Sequence, residues 1–208
     1  AVLVGVDARP KSAAADAPGD LVLVGQIGGP TRAVALRGDL VYAGRGPRVM
    51  AMSICHPFAV SHLGQSEVLP GPVMDLLPDG DLLYAALGRE GVGVLDVTRP
   101  RQPRLVFRLP LPGTAAHLVR EGDRLYVVSG YSGLHILSLQ DRRSPQAFGH
   151  FDAVVSDVVV FGKYAYAVKR DFTVIDVSDP AAPRQVRKLA DWADSVALRG
   201  TTMVVAVS

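Results

Sequence analysis

The sequence predicts an all-β fold built from repeated four-stranded antiparallel units, and three observations support this. Glycines recur at a nearly constant interval, with steps of 42, 42, 40 and 38 residues between Gly38, Gly80, Gly122, Gly162 and Gly200. Short apolar, β-favouring runs lie on both sides of each of these glycines. No window of a dozen residues holds a sustained helical stripe of apolar residues, which excludes a helical repeat.

Length and composition allow one large globular domain or two small ones with a buried core. The chain has 208 residues, of which 49% are hydrophobic and 20% charged. Its 22 basic and 20 acidic residues alternate along the sequence and leave a net charge of +2, so we expect no nucleic-acid partner. Apolar runs such as VVVF are far shorter than the roughly 18 residues that a membrane-spanning helix needs, so we expect no membrane span.

Each unit is interpreted as four strands joined by three turns of distinct chemistry. The recurring glycine forms the first turn, where positive φ is needed. The third strand ends at Asp96 in VGVLDVTRPRQP and at Asp176 in FTVIDVSDPAAP. A short carboxylate there can accept hydrogen bonds from the backbone N–H groups of the next turn. Prolines in that turn then exclude ladder pairing before the fourth strand begins: Pro100, Pro103, Pro180 and Pro183.

A tyrosine column marks the second strand of each unit. Tyr42, Tyr84, Tyr126 and Tyr166 each stand four residues after the recurring glycine, and Val204 is the exception. We expect these rings to pack in the core or between units, with each hydroxyl bound to a backbone group.

Four-stranded units of about 40 residues are typical of the blades of a β-propeller. The segments VIDVSDPAAP, VLDVTRPRQP, YAYAV and LYVVSGYSGLHIL resemble the LVIVD repeat, a propeller-forming repeat found largely in exported or surface proteins of bacteria and archaea. The resemblance covers most of residues 31–208 and is strongest in the units that begin near 73, 115 and 153. The first unit departs from it, with Ser53 in place of the strand-end Asp. The family has no general catalytic assignment, so the resemblance implies no functional residue.

The two ends of the chain are predicted to complete one composite blade. Units at about 31–71, 72–113, 114–151 and 152–190 are complete, residues 191–208 supply two strands, and residues 1–30 look like a third and fourth strand. Pairing of the N-terminal and C-terminal strands would close a single propeller domain of five blades over residues 1–208. The alternative is that the chain is a fragment of a longer propeller.

One polar column offers the strongest candidate site. Five residues before each recurring glycine stand Ala33, Asp75, His117, Asp157 and Ser195. In a propeller this position begins the innermost strand, so these side chains would circle one mouth of the central channel. Carboxylates and imidazole suit metal or proton chemistry, although Asp and Ser at strand starts also commonly fasten neighbouring backbone amides. Whether the column holds a metal is left open, and we expect no cofactor.

The remaining reactive residues give weak signals. Cys55 is the single cysteine of the chain, so an internal disulfide is excluded. Cys55 and the adjacent His56 are most simply interpreted as a buried thiol and a loop histidine. His62, His135 and His150 have no companions at metal-ligand spacing. The chain begins at Ala1 without a basic and apolar leader, as expected of a processed product.

Two classes of function follow from these patterns. The first is a non-enzymatic interaction scaffold that binds a protein partner or a neighbouring subunit through loops at the blade ends, in an extracytoplasmic or surface assembly. The alternative is a metal-dependent hydrolase or lyase, or a ligand sensor, that uses Asp75, His117, Asp157 and Ser195 at the channel mouth.

Overall fold

A computed structural model describes residues 2–6, 21–26, 31–56, 59–169, 171–191, 195–199 and 202–206. Within these ranges the regular structure is β-strand, apart from one 3-10 turn at Gly130–Ser132. The all-β prediction is therefore confirmed. None of the described residues forms a helix that is long and apolar enough to cross a membrane.

Four of the sheets have four antiparallel strands each, in the order of the sequence. Sheet I contains β3 (Thr31–Arg37), β4 (Leu40–Arg45), β5 (Arg48–His56) and β6 (Ala59–Gln65). Sheet II contains β7 (Asp75–Asp79), β8 (Leu82–Ala86), β9 (Val92–Asp96) and β10 (Arg104–Leu109). Sheet III contains β11 (His117–Glu121), β12 (Arg124–Val128), β13 (Leu134–Ser138) and β14 (Gln146–Phe151). Sheet IV contains β15 (Asp157–Phe161), β16 (Tyr164–Val168), β17 (Asp171–Asp176) and β18 (Arg184–Asp191).

Two further sheets have two strands each. β1 (Val2–Val6) pairs with β2 (Leu21–Gln26), and β19 (Ser195–Arg199) pairs with β20 (Thr202–Ala206). We call them the N-terminal pair and the C-terminal pair.

The first turn of each four-stranded sheet has the conformation that its glycine predicts. Gly38, Gly80, Gly122 and Gly162 have φ between 55° and 60°. Residues with a side chain rarely adopt this left-handed conformation, which explains why glycine returns at this point of every unit. Gly200 lies outside the described residues.

The same type of side-chain hydrogen bond recurs at or near the end of the third strand in every four-stranded sheet. Asp96 Oδ1 accepts from Thr98 N at 2.9 Å, and Asp176 Oδ1 accepts from Ser178 N at 2.9 Å, as predicted. In the other two sheets serine does the same, since Ser53 Oγ and Ser138 Oγ each accept from the amide two residues ahead at 3.3 Å. Ser53 therefore departs from the repeat in residue type but keeps the bond.

Successive sheets lie side by side through their first strands. β3 is next to β7, β7 next to β11, β11 next to β15, and β15 next to β19. The hydrophobic cores fill the spaces between neighbouring sheets, one core for each neighbouring pair from sheet I to the C-terminal pair. Examples of buried residues, in that order, are Tyr42 and Leu83, Tyr84 and Leu125, Tyr126 and Val158, and Phe172 and Val196.

The N-terminal and C-terminal pairs lie at opposite ends of this array. β2 is next to β6, and the face of sheet I that points away from sheet II is buried at Val41, Ala43 and Met52. No ladder joins the N-terminal pair to the C-terminal pair among the described residues, which form two separate sheets there. The composite blade predicted from the sequence therefore stays a prediction.

Two glycines of the fourth strands allow the next sheet to approach closely. Gly64 in β6 contacts the backbone of Arg101, and Gly149 in β14 contacts the backbone of Pro180. Arg101 and Pro180 lie in the turns that precede the fourth strands of sheets II and IV. A Cβ atom at either glycine would overlap the carbonyl oxygen of that turn. The Pro-rich turn thus fixes the outer edge of the preceding sheet.

We expect Gly149→Ala to destabilise the protein more than Gly122→Ala does. The new methyl group of Gly149→Ala meets backbone that cannot rotate away, at a cost of about 2 to 3 kcal/mol. Gly122 has open space around its Cβ position, so Gly122→Ala costs only the left-handed backbone strain, about 1 kcal/mol. Urea unfolding of both variants measures the difference, and equal losses would show that sheets III and IV do not meet at this turn.

Candidate functional site

The structure brings together the polar column that the sequence singled out. Asp75, His117, Asp157 and Ser195 are the first residues of β7, β11, β15 and β19. Because these first strands are neighbours in space, side chains that are about 40 residues apart in sequence come into contact. We call these four residues the first-strand row.

Asp75 connects sheet II to sheet III. Its Oδ1 accepts a hydrogen bond from Leu76 N at 2.8 Å, within its own strand. Its Oδ2 accepts from Leu118 N at 2.8 Å and lies 2.8 Å from His117 Nδ1, both in the next sheet. One carboxylate therefore binds the beginnings of two first strands.

Asp157 repeats the arrangement between sheet IV and the C-terminal pair. Its Oδ1 accepts from Val158 N at 2.8 Å, and its Oδ2 accepts from Val196 N at 3.1 Å and from Ser195 Oγ at 2.9 Å. Aspartate thus makes the same pattern of bonds at both positions, and the partner side chain changes from imidazole to hydroxyl.

His117 lies between the two carboxylates. Its Nδ1 bonds to Asp75, and its Nε2 is 3.5 Å from Asp157 Oδ1. The hydrogen bond with Asp75 raises the pKa of His117, burial lowers it, and the charges of Asp75 and Asp157 raise it further, with a net increase. When both nitrogens are protonated, the imidazolium links sheets II, III and IV through one side chain.

The carboxylate oxygens of the first-strand row are all engaged by neighbouring N–H, O–H or imidazole groups. The described residues contain no group of three or more His, Cys, Asp and Glu arranged to hold a metal ion. His117 nevertheless remains accessible, with 40% of its side chain exposed. The first-strand row therefore joins neighbouring sheets by hydrogen bonds, and its imidazole, that of His117, is accessible to solvent.

The other residues that the sequence singled out have mixed outcomes. Ala33 makes no side-chain hydrogen bond to the next sheet, because its side chain has no polar atom. Tyr42, Tyr84 and Tyr126 are buried as predicted. The Tyr84 hydroxyl donates to the Arg142 carbonyl at 3.0 Å, whereas the Tyr42 hydroxyl has no hydrogen-bond partner among the described residues, contrary to expectation.

Cys55 is exposed, so its interpretation as a buried thiol is wrong. Cys55 is the second-last residue of β5, which is nine residues long and ends at His56. His56 is the last residue of this strand, so its interpretation as a loop histidine is also wrong.

An ion cluster around a buried aspartate, between sheets II and III, was not predicted from the sequence. Asp79, which is 9% exposed, accepts from Arg142 Nε at 2.7 Å and forms an ion pair with Arg120. Arg142 lies in the turn before β14, 63 residues from Asp79 in sequence. No repeated pattern in the sequence indicates that these two residues are in contact. Burial raises the pKa of Tyr84, whose hydroxyl lies 3.4 Å from Asp79 Oδ2.

His135 and His150 also come together without a signal in their spacing. They are opposite each other on β13 and β14, and their rings stack with centroids 4.6 Å apart. His150 Nε2 is 2.6 Å from the Ser132 carbonyl oxygen, and burial lowers the pKa of His135. This pair supports the turn between β12 and β13.

We expect the stability of the protein to decrease as pH rises above about 6.5, with part of this decrease due to His117. The folded pKa of His117 is raised, so its contribution is fully present below the unfolded pKa and is lost as pH passes through the folded value. His117→Gln should remove this part of the pH dependence, as measured by urea unfolding at a series of pH values. His62→Gln, at an exposed histidine of β6, is the control and should retain it. Identical pH profiles for the wild type and His117→Gln would contradict the proposed bridge.

Comparison with known proteins identifies the repeat. Residues 154–190, which include all but the last residue of sheet IV, match the family model of the LVIVD repeat. The search of curated proteins gives no match. Among solved structures, the chain is similar to the computationally designed Ika8 protein, with a TM-score of 0.67 and 10% sequence identity. The similarity covers 85% of this chain and 55% of that one, so the chain spans about half the length of the designed protein. The chain therefore contains an LVIVD repeat, which confirms the family resemblance seen in its sequence.

Proposed function

We propose that the protein is a non-enzymatic interaction scaffold of the β-propeller type. The observation that carries this proposal is the bonding of the first-strand row, where the oxygens of Asp75 and Asp157 bind the backbone of neighbouring strands. A general base or metal ligand needs an oxygen that can be given to a substrate or an ion. These carboxylates instead hold sheets in place.

The turns at the blade ends are the proposed contact sites for a protein partner or a neighbouring subunit. The turn between the second and third strands has two residues in sheet I, Gly46 and Pro47, but spans 87–91 in sheet II and 129–133 in sheet III. Variable turns on a constant frame are the usual arrangement of binding surfaces, because the frame fixes their positions while their sequences differ. The resemblance to a repeat of exported and surface proteins supports an extracytoplasmic location. The balanced charge argues against nucleic acid as the partner.

We further propose that the array closes into a five-bladed ring. The C-terminal pair contributes a first strand, since β19 is next to β15, and the N-terminal pair contributes a fourth strand, since β2 is next to β6. The C-terminal pair would thus supply the two inner strands of one four-stranded blade, and the N-terminal pair would supply its two outer strands. A ladder between β20 and β1 would complete that blade and remove two exposed sheet edges.

Cysteine trapping tests this closure. In a Cys55→Ser background, Val4→Cys is combined with a single cysteine at each position of β20 in turn. A closed ring brings opposite residues of β1 and β20 within disulfide distance, so we expect an intramolecular disulfide at positions of β20 that share one face. Nonreducing electrophoresis distinguishes this product from disulfide-linked dimers. Dimers alone, or no disulfide at any position, would indicate an open array.

A second experiment separates the scaffold from a metal-dependent enzyme. Asp157→Ala removes the bonds to Val196 and Ser195, and we expect a loss of about 1 to 3 kcal/mol in the free energy of unfolding. Asp152→Ala, at an exposed aspartate of the same region, should change it by less than about 0.5 kcal/mol. Elemental analysis of the purified wild type should show no stoichiometric metal. Metal bound at one equivalent in the wild type and lost in Asp157→Ala would support the enzyme alternative.

A further inference from the structure

A cleft of about 470 Å³ opens between sheets III and IV. Its apolar floor includes Phe151, Val155 and Ala167, and the last two are buried. Tyr131 and Lys169 form its rim. The volume lies in the range of pockets that hold small organic ligands.

The linker from sheet III to sheet IV makes fewer backbone hydrogen bonds to the turn between β12 and β13 than the corresponding linkers make in sheets I and II. In sheet I this turn accepts backbone bonds from Leu69 and Val73, and in sheet II Gly88 exchanges two bonds with Ala115. In sheet III, among the described residues, the linker to the next sheet donates to the turn once, from Val155 N to Gly130 O at 3.1 Å. The cleft lies beside this turn.

Tyr131 stands at the tip of this turn with 82% of its surface exposed. The Nζ atom of Lys169 lies 4.4 Å from the centroid of its ring. A hydrogen bond between His150 Nε2 and the carbonyl oxygen of Ser132 supports this turn. An exposed aromatic ring on a supported turn is thus placed at the mouth of an apolar cleft.

Two lysines line the described part of the cleft, and they differ in their charge partners. Lys188 Nζ is paired with Asp171 Oδ2 at 2.7 Å. Lys169 has no carboxylate within ion-pair distance among the described residues, and its ammonium faces only the ring of Tyr131. A cation beside an apolar floor favours an anion with an apolar body, since the anion gains an ion pair and its body leaves water.

We propose that this cleft binds an organic carboxylate with an aromatic or branched apolar body, which lies on Phe151, Val155 and Ala167 while its carboxylate contacts Lys169. The carboxylate belongs either to a free acid or to the C-terminal residue of a peptide. This inference is independent of the scaffold proposal, since the cleft lies between two described sheets whether or not the ring closes.

The test is an NMR titration of the isotopically labelled protein with phenylacetate. We expect saturable shifts at the amides of Val155, Ala167 and Lys169 at concentrations up to about 10 mM, which corresponds to weak small-ligand binding. Phenylacetamide, the neutral isostere, should bind at least about tenfold more weakly. The tripeptide Ala-Ala-Phe and its C-terminal amide identify the source, since tighter binding of the free-acid peptide than of phenylacetate assigns the site to a peptide C-terminus.

Lys169→Gln should weaken the binding of phenylacetate by about tenfold, because it removes the positive charge. Glutamine is chosen because it keeps most of the length of the lysine side chain. The matched control is Lys163→Gln. Lys163 also lies over a tyrosine ring, that of Tyr164 at 5.3 Å, but it does not line the cleft. The proposal is overturned if neither acid gives saturable shifts, if the amides bind as well as the acids, or if the two lysine variants behave alike.

Discussion

The inner edge of each first strand is the constraint on which the arrangement of sheets depends. A first strand pairs with its second strand on one side, and the N–H groups on its other side have no ladder partner. Asp75 and Asp157 supply that partner from the preceding sheet, to Leu118 N and Val196 N. The same bond that satisfies an edge amide therefore fixes the distance and register between two sheets.

The residues that link neighbouring sheets differ from one interface to the next. Between sheets I and II, Ala33 offers no acceptor, and the sheets instead meet through close packing of Val73 against Gly44, where a Cβ atom would overlap the valine side chain. Between sheets II and III, the Asp75 bond is supplemented by the buried Asp79 with its two arginines. Between sheets III and IV, His117 takes the place of an aspartate and reaches Asp157 with its second nitrogen. A change of one residue at a repeated position thus changes what links the sheets while the backbone arrangement stays the same.

The sequence allowed the local structure and the first-strand row to be predicted, because both repeat. Turn glycines, strand-end Asp96 and Asp176, and the polar column recur at a fixed period, and a period identifies equivalent positions without any knowledge of distance. Arg142 and the stacked His135 and His150 could not be found in this way, since each occurs once and acts through a contact between turns or neighbouring strands. The pairing of the two chain ends stays a prediction for a related reason. Pairing between residues about 200 apart in sequence depends on the summed angles between all the sheets, and no single unit specifies that sum.

The same reasoning indicates where function is to be sought. In an array whose units contact only their neighbours, residues that recur in every unit maintain the frame through contacts within the protein. Residues that break the repeat are not needed by the frame in the same way. Tyr131 occupies a turn position held by Pro47 in sheet I and Arg89 in sheet II, and its side chain is exposed beside an open cleft. The first-strand row binds the backbone of the array, whereas the Tyr131 turn borders Lys169 and the apolar cleft, where we propose that a ligand binds.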